Sequence, residues 1–359
     1  MLLCRPMLLP RRLLHSPAFI LSVLAFAPPS PVGAAGTAVR TTRTTPARTP
    51  RPASLPAVVL PPDASARDLA IGDAARRALG GIAGSVVAVD PKTGRVIALV
   101  NPTYGLFNAY QPCSVFKIVV AIAGLSEGVI TPDTTYNCVK GCWTWPGHGR
   151  LNLRRALAVS CNPYFEAIGE QLGYATIQKY AHLLGLGSPS GINLTGEASG
   201  RIPDSVAPSL VGHLSSHAAG ITTSAVQLAV LLSATINGGI VYQPEVGPAE
   251  GFVPRERWRL PEGTLTTGMA DGFISAVNEG SAAPAFDPDV VVAGKTGSCS
   301  QLGWFASYAP AENPEVVIVV FVRRGNGHLA SGIAGRIYQD LYKAPPAAPP
   351  LGTVAGGGN

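Results

Sequence analysis

The chain has 359 residues, 47% of them apolar and 13% charged, which is enough to bury a large core in one domain or two. Its formal charge of +6 is concentrated at one end: residues 1–62 hold seven arginines and no Asp or Glu, leaving 20 basic against 21 acidic residues in the rest. The body is close to neutral, which excludes a nucleic-acid footprint there.

The start, MLLCRPMLLPRRLLHSPAFILSVLAFAPPSPVGAAG, sets arginines ahead of an apolar run from Ala18 to Ala27, followed by prolines and small residues. Residues 1–35 therefore read as a secretory signal cleaved near Ala34 or Ala35, with a retained membrane anchor as the alternative. The run is shorter than the roughly 20 apolar residues of a membrane span. An exported chain, periplasmic or at the cell surface, is the expectation. Residues 36–62, rich in Pro, Ala, Thr and Arg, read as a disordered linker, 63–343 as one domain, and 344–359 as a flexible tail.

Within the domain, Ala66–Leu79 predicts a short helix. GSVVAVDPKTGRVIALV then sets two β-branched runs around the turn signal from Asp90 to Gly94, an antiparallel hairpin. A long middle section reads as mainly helical, clearest at Ser114–Leu125, Leu153–Leu157, Asn162–Leu172, Ala175–Leu184 and Thr223–Ile236, and weaker at Leu265–Val277. VVVAGK, GWFASYAP and EVVIVVFVRR return to strand, and Leu329–Leu341 closes as a helix. A lone hairpin is a marginal sheet, so the early and late strands are expected to join. The result is an α+β fold: a five-stranded antiparallel sheet with flanking helices, a mainly helical insertion, and a cleft where the insertion meets the sheet edge.

In QPCSVFKIVVAIAGL, Ser114 and Lys117 are three residues apart and share a helix face. A serine hydroxyl needs a nearby base to act as a nucleophile at neutral pH. Burial among Val115, Phe116, Ile118, Val119 and Val120 would lower a lysine's pKa toward the neutral amine. Alone, the spacing is weak, because a serine N-cap beside a snorkelling lysine gives the same pattern. Two later features shift the balance. AVSCNPYF places Ser160 and Asn162 between helical segments, and VVVAGKTGS places Lys295, Thr296 and Gly297 at the end of a strand. Cationic and hydroxyl side chains on an edge strand can hold a substrate carboxylate, with Gly297 allowing close approach to the backbone.

The ordered set Ser114-x-x-Lys117, Ser160-x-Asn162 and Lys295-Thr296-Gly297 resembles the active-site serine motifs of penicillin-binding proteins and the related serine β-lactamases. The likeness runs from about Gly84 to the last helix and is most similar to monofunctional elongation or division transpeptidases. It implies the penicillin-binding protein/β-lactamase-like fold and a serine-type D,D-transpeptidase that crosslinks peptidoglycan stem peptides and is acylated by β-lactams. It also implies Ser114 as the nucleophile, Lys117 as its base, Ser160 as proton relay, Asn162 as a substrate and lysine contact, and Lys295 as electrostatic support. Thr296, Gly297 and Ser298 would bind substrate, and the backbone N–H groups of Ser114 and Ser298 would form the oxyanion hole. No cofactor is implied; cell-wall synthesis partners and oligomeric state are left unassigned.

The chain departs from the pattern in several places. Ser298 stands where the family more often has threonine, cysteines adjoin all three motifs at positions 113, 161 and 299, and no large module precedes the hairpin. Glu170 and Glu197 fall in no recognisable deacylating loop. A D,D-carboxypeptidase, a class D-like β-lactamase and a non-turnover β-lactam sensor or cell-wall scaffold are the competing readings. Six cysteines are too few for a disulfide-built fold of this size. Cys138 and Cys142, in NCVKGCW, are close enough to pair, with two free, buried or partly buried thiols as the alternative. Tetrahedral zinc would need further ligands, and none clusters with them in sequence. His213 and His217, in HLSSH, lack an obvious third ligand, so no metal is expected. Trp143, Trp145 and Tyr136 read as a loop at the border of the cleft or as packing.

Overall fold

A computed structural model describes residues 55–140, 142–265 and 268–343. The segments read as signal and tail, and most of the linker, lie outside the described residues. Strand β1 (Val58–Val59) and helix α1 (Ala66–Leu79) come first, followed by the hairpin of β2 (Gly84–Val89) and β3 (Val96–Val100). A short α2 (Pro102–Gly105) and a 3-10 turn at Cys113–Phe116 lead into α3 (Lys117–Ser126). Next come a small hairpin of β4 (Tyr136–Cys138) and β5 (Gly149–Leu151), then α4 (Leu153–Ala158), α5 (Asn162–Leu183), α6 (Val211–His217) and α7 (Ala225–Ile236). A second small hairpin, β6 (Ile240–Tyr242) and β7 (Glu256–Arg259), precedes α8 (Ala270–Asn278). Strands β8 (Ala293–Cys299), β9 (Leu302–Ala309) and β10 (Val316–Arg323) and helix α9 (Gly327–Tyr342) finish the described chain.

The main sheet is antiparallel in the order β1-β3-β2-β10-β9-β8. Early and late strands meet where β2 pairs with β10, from Val89 opposite Val317 to Gly84 opposite Val322. The sheet has six strands where five were expected. The sixth comes from residues read as linker: Val58 and Val59 pair with Val100 and Leu99. Two β-branched residues are too few to show a period in sequence, yet they are enough to cover part of the otherwise open edge of β3.

Strand alternation builds two cores. On one face Val87, Val317, Val319, Phe321 and Trp304 pack beneath the helical insertion. On the other, Val86, Ala88, Ile318, Val320, Val322 and Phe305 pack with residues of α1 and α9. Both phases of these strands are apolar because both faces are covered. Helix α1 starts at a capping box, Ser65 Oγ accepting from Asp68 N while Asp68 accepts from Ser65 N, and it buries Ile71, Ala74, Ala75 and Leu79. The β2–β3 turn is closed by Asp90, whose carboxylate accepts from Lys92 N at 2.8 Å and from Thr93 Oγ1 at 2.9 Å, with Gly94 at φ 76°.

Helix α3 is apolar on every side and Lys117 through Leu125 are buried, as such a helix requires. Its start differs from the expected Ser114, because the first residues wind as a 3-10 turn. The two helices expected at Asn162–Leu172 and Ala175–Leu184 are both present within α5, separated by a kink where Gly173 takes φ 71°.

Candidate active site

Three connections converge where the insertion meets the edge strand β8. Ser114 sits in the 3-10 turn ahead of α3, Ser160 lies between α4 and α5, and Lys295, Thr296, Gly297 and Ser298 lie on β8. Ser114, Ser160, Asn162, Thr296 and Ser298 line one cleft of about 580 Å³, together with Trp143, His217, Ser281 and Asn326.

Lys117 and Lys295 are fully buried, and both reach Ser160. Lys117 Nζ donates to the Ser160 carbonyl at 2.7 Å and to Asn162 Oδ1 at 2.7 Å, and lies 3.3 Å from Ser160 Oγ. Lys295 Nζ donates to Ser160 Oγ at 2.8 Å and to the Thr296 carbonyl at 2.9 Å. Ser160 holds φ 54°, an uncommon value for a non-glycine residue, and this turns both its carbonyl and its hydroxyl toward the amines. Burial lowers the Lys117 pKa to about 7, with nearby thiols pulling the other way. Burial also lowers Lys295 well below its ordinary value, and the adjacent Lys117 adds to the shift. A neutral Lys117 has two N–H groups, which match its two acceptors at 2.7 Å, and one lone pair left to receive a proton.

The expected direct contact between Ser114 and Lys117 is not made through side chains. Ser114 Oγ instead donates to the Ser216 carbonyl at 3.4 Å, a weak bond that a single χ1 rotation would release. Thr296 Oγ1 lies 2.6 Å from Ser281 Oγ, and Ser298 Oγ accepts from Gly327 N at 2.7 Å. Gly297 is required by packing: a Cβ there would lie 2.7 Å from the Pro112 carbonyl oxygen.

A chain of polar groups behind Asn162 was not read from sequence. Asn162 Nδ2 lies 3.3 Å from His217 Nε2, His217 Nδ1 lies 2.6 Å from Ser216 Oγ, and Ser216 Oγ donates to Glu166 at 2.8 Å. Since Asn162 Nδ2 can only donate, Nε2 is the acceptor and Nδ1 carries the proton, which fixes a neutral imidazole. Burial, then His213 and Lys117, push the His217 pKa down and favour that form. His213 and His217 stack at 4.4 Å, and their nitrogens and a Glu166 oxygen lie within 4.8 Å of one another. Of the aromatic residues expected at the cleft, Trp143 lines it and donates to the Val159 carbonyl at 3.0 Å. Tyr136 packs edge-on against Tyr164, and Trp145 is 86% exposed.

Of the two readings for Cys138 and Cys142, the structure has the free thiols and not the local disulfide; Cys161 is free as well. The bond joins Cys113 to Cys299, 186 residues away in sequence, with Cα atoms 5.6 Å apart. Sequence proximity favoured the local pair, whereas the fold lays the end of β8 against the turn that carries Ser114. Cys138, Cys142 and Cys161 gather instead with His148, their donor atoms within 4.8 Å of one another. His148 Nδ1 lies 3.4 Å from Cys138 Sγ and 3.3 Å from Cys142 Sγ. Three sulfurs and one imidazole form a donor set suited to tetrahedral zinc. These four residues could hold such an ion, which would act structurally by tying β4 and its following loop to the residue between Ser160 and Asn162. The expectation of no ligands beyond Cys138 and Cys142 is therefore corrected: His148 and Cys161 are brought in by the β4–β5 hairpin and the start of α5.

The family model of the penicillin binding protein transpeptidase domain matches residues 84–343. The chain belongs to that family. It is 26% identical to stage V sporulation protein D of Bacillus subtilis, across 71% of this chain and 48% of that protein. It is 25% identical to the peptidoglycan D,D-transpeptidase MrdA of Acinetobacter baumannii, across 74% of this chain and 51% of that protein. The chain thus spans about half the length of these curated relatives. Among solved structures, the transpeptidase domain of Burkholderia pseudomallei penicillin-binding protein 3 superposes with a TM-score of 0.67 at 21% identity, covering 79% of this chain and 96% of that one. The fold is accordingly the penicillin-binding protein/β-lactamase-like one. Among the described residues, no helix is long and apolar enough to cross a membrane.

Proposed function

We propose that the chain is a peptidoglycan D,D-transpeptidase working through a Ser114 acyl-enzyme. The convergence of Lys117, Asn162 and Lys295 on Ser160, beside Ser114 in one cleft, carries the reading. With Lys117 neutral, its lone pair takes the Ser114 proton as Oγ attacks the penultimate D-alanine carbonyl. The tetrahedral oxyanion is held by the backbone N–H groups of Ser114 and Ser298. The proton then passes by way of Ser160 to the departing nitrogen, the peptide C–N bond breaks, and D-alanine leaves. The amine of a neighbouring stem peptide attacks the ester, gives up a proton to Lys117, and that proton passes to Ser114 Oγ as the ester C–O bond breaks and the crosslink forms. Thr296, with Lys295 behind it, receives the terminal carboxylate of the donor stem.

Hydrolysis is the competing fate of the acyl-enzyme. Among the described residues, none of those lining the cleft is a carboxylate. Glu197 is occupied elsewhere, accepting from Ser190 N and Gly191 N. The placement of Glu197 away from the cleft fits slow hydrolysis of the acyl-enzyme. The motifs and the export signal read from the sequence favour an extracytoplasmic site of action.

Labelling by fluorescent penicillin is expected on the wild type and absent on Ser114→Ala; undiminished label on the variant would overturn the role of Ser114. Purified protein given a stem ending in D-Ala-D-Ala and an amine acceptor is expected to form the crosslinked product. Hydrolysed stem alone would assign a carboxypeptidase, and rapid penicillin turnover a β-lactamase.

A further inference from the structure

We propose that the Cys113–Cys299 disulfide positions the oxyanion hole, so that its reduction slows acylation of Ser114 while leaving the fold intact. The proposal rests on the reading of Ser114 and Ser298 as the two oxyanion donors. Each bonded cysteine is the chain neighbour of one donor: Cys113 precedes Ser114, and Cys299 follows Ser298.

The need for such a tie follows from the sheet order. Strand β8 is an edge strand, held on one side by β9 with Ser298 opposite Gly303. On its other side sits the turn Cys113–Phe116, which is not a strand and offers no ladder. Contact there is close: a Cβ on Gly297 would lie 2.7 Å from the Pro112 oxygen, 3.1 Å from Val115 Cγ2 and 3.2 Å from Val115 N. A hydrogen bond from Trp304 Nε1 to the Gln111 carbonyl at 2.8 Å ties the approach to the turn to β9, not to β8. The disulfide is therefore the covalent tie between the strand carrying one donor and the turn carrying the other. Cys113 also holds φ 54°, a conformation a non-glycine residue keeps only where its surroundings impose it.

Oxyanion donors act only when they are already in place for the developing charge. A misplacement of about 1 Å costs up to about 100-fold in rate. Reduction would proceed by exchange with a dithiol. Cys299 is partly exposed and Cys113 fully buried, so a reductant thiolate attacks the Cys299 sulfur and Cys113 leaves as thiolate. The second reductant thiol then attacks the mixed disulfide. Two electrons and two protons pass to the protein, giving two cysteine thiols and the reductant's own disulfide.

The test compares three samples of the full chain: oxidised, reduced with dithiothreitol and freed of it under nitrogen, and the double variant Cys113→Ala/Cys299→Ala. Stopped-flow mixing with fluorescent penicillin separates the initial dissociation constant from the limiting acylation rate. The limiting rate is expected to fall about tenfold in the reduced protein and in the double variant, with the dissociation constant within about twofold and circular dichroism unchanged. Reoxidation should restore the wild type. The double variant, never exposed to reductant, separates this bond from the other thiols; should it fail to fold, the reduced wild type decides. Equal limiting rates in the oxidised and reduced wild type, or a non-reducing peptide map without the Cys113–Cys299 link, would overturn the proposal and leave the acyl-enzyme standing. Equal labelling of Ser114→Ala would instead overturn the acyl-enzyme reading on which it rests.

Discussion

Lys117 ties the chemistry to pH. Its pKa, lowered by burial to about 7, leaves the amine largely protonated below that value and neutral above it. Only the neutral form can accept the Ser114 proton. The limiting rate of penicillin acylation is therefore expected to rise as pH increases through about 7 and to level off above it, whereas an ordinary lysine would still be gaining activity near 10. Lys117→Ala should lose about 100-fold or more at the plateau. A rate independent of pH from 6 to 8 would place the base elsewhere. Ser114, Lys117, Ser160, Asn162 and Lys295 were legible in sequence as candidates because each lies in a short motif, and the fold brings them to one cleft or its floor. Glu166, Ser216 and His217 were not: Ser216 meets Glu166 across 50 positions and Asn162 meets His217 across 55, and no local spacing encodes either contact.

Among the elements, β8 carries Lys295 through Ser298 and the β4–β5 hairpin carries Cys138. Because Gly297 allows β8 to lie against the turn that carries Ser114, Gly297→Val should wedge the two apart, lower penicillin acylation, and cost about 1–3 kcal/mol in denaturant unfolding. The hairpin carries Cys138 and leads to the three-thiol, one-imidazole cluster. Protein purified without chelator is expected to carry about one zinc per chain by emission spectroscopy, and Cys161→Ser to carry markedly less. Chelation should lower the melting temperature. Wild type that gains no zinc and melts unchanged would make these residues simple packing. Periodicity read the elements well where they are long: α1 runs over the expected Ala66–Leu79. It failed where they are short or irregular, at β1 and at the 3-10 turn. The cysteine pairing was illegible for a different reason, since spacing in sequence says nothing about which strand end the fold lays beside a turn.

Across the whole molecule, the hairpin, late strands and closing helix depend on one another, and α1 clasps that assembly. Arg95, just before β3, makes a two-pronged bond to Asp68 in the first turn of α1, with N–O distances of 3.0 and 2.9 Å and side chains 11% and 2% exposed. Asp68→Asn leaves the guanidinium short of a counter-charge and weakens the capping box. The expected loss is about 3 kcal/mol, read as a melting temperature roughly 6–10 °C lower, with penicillin acylation at 25 °C unchanged. A shift below about 2 °C would mean that solvent compensates the arginine. The joining of early and late strands was legible because a lone hairpin cannot bury two apolar faces; the sixth strand was not, because its two residues show no pattern.

The position of that sixth strand has a mechanical consequence. Five inter-strand steps separate β1 from β8, about 24 Å at the usual spacing. A force applied through the chain ahead of Leu55 loads β1 first. Being only two residues long, β1 can peel from β3 with little resistance, leaving the other five strands paired. Tension entering at β1 is spent at the rim of the sheet farthest from Ser298.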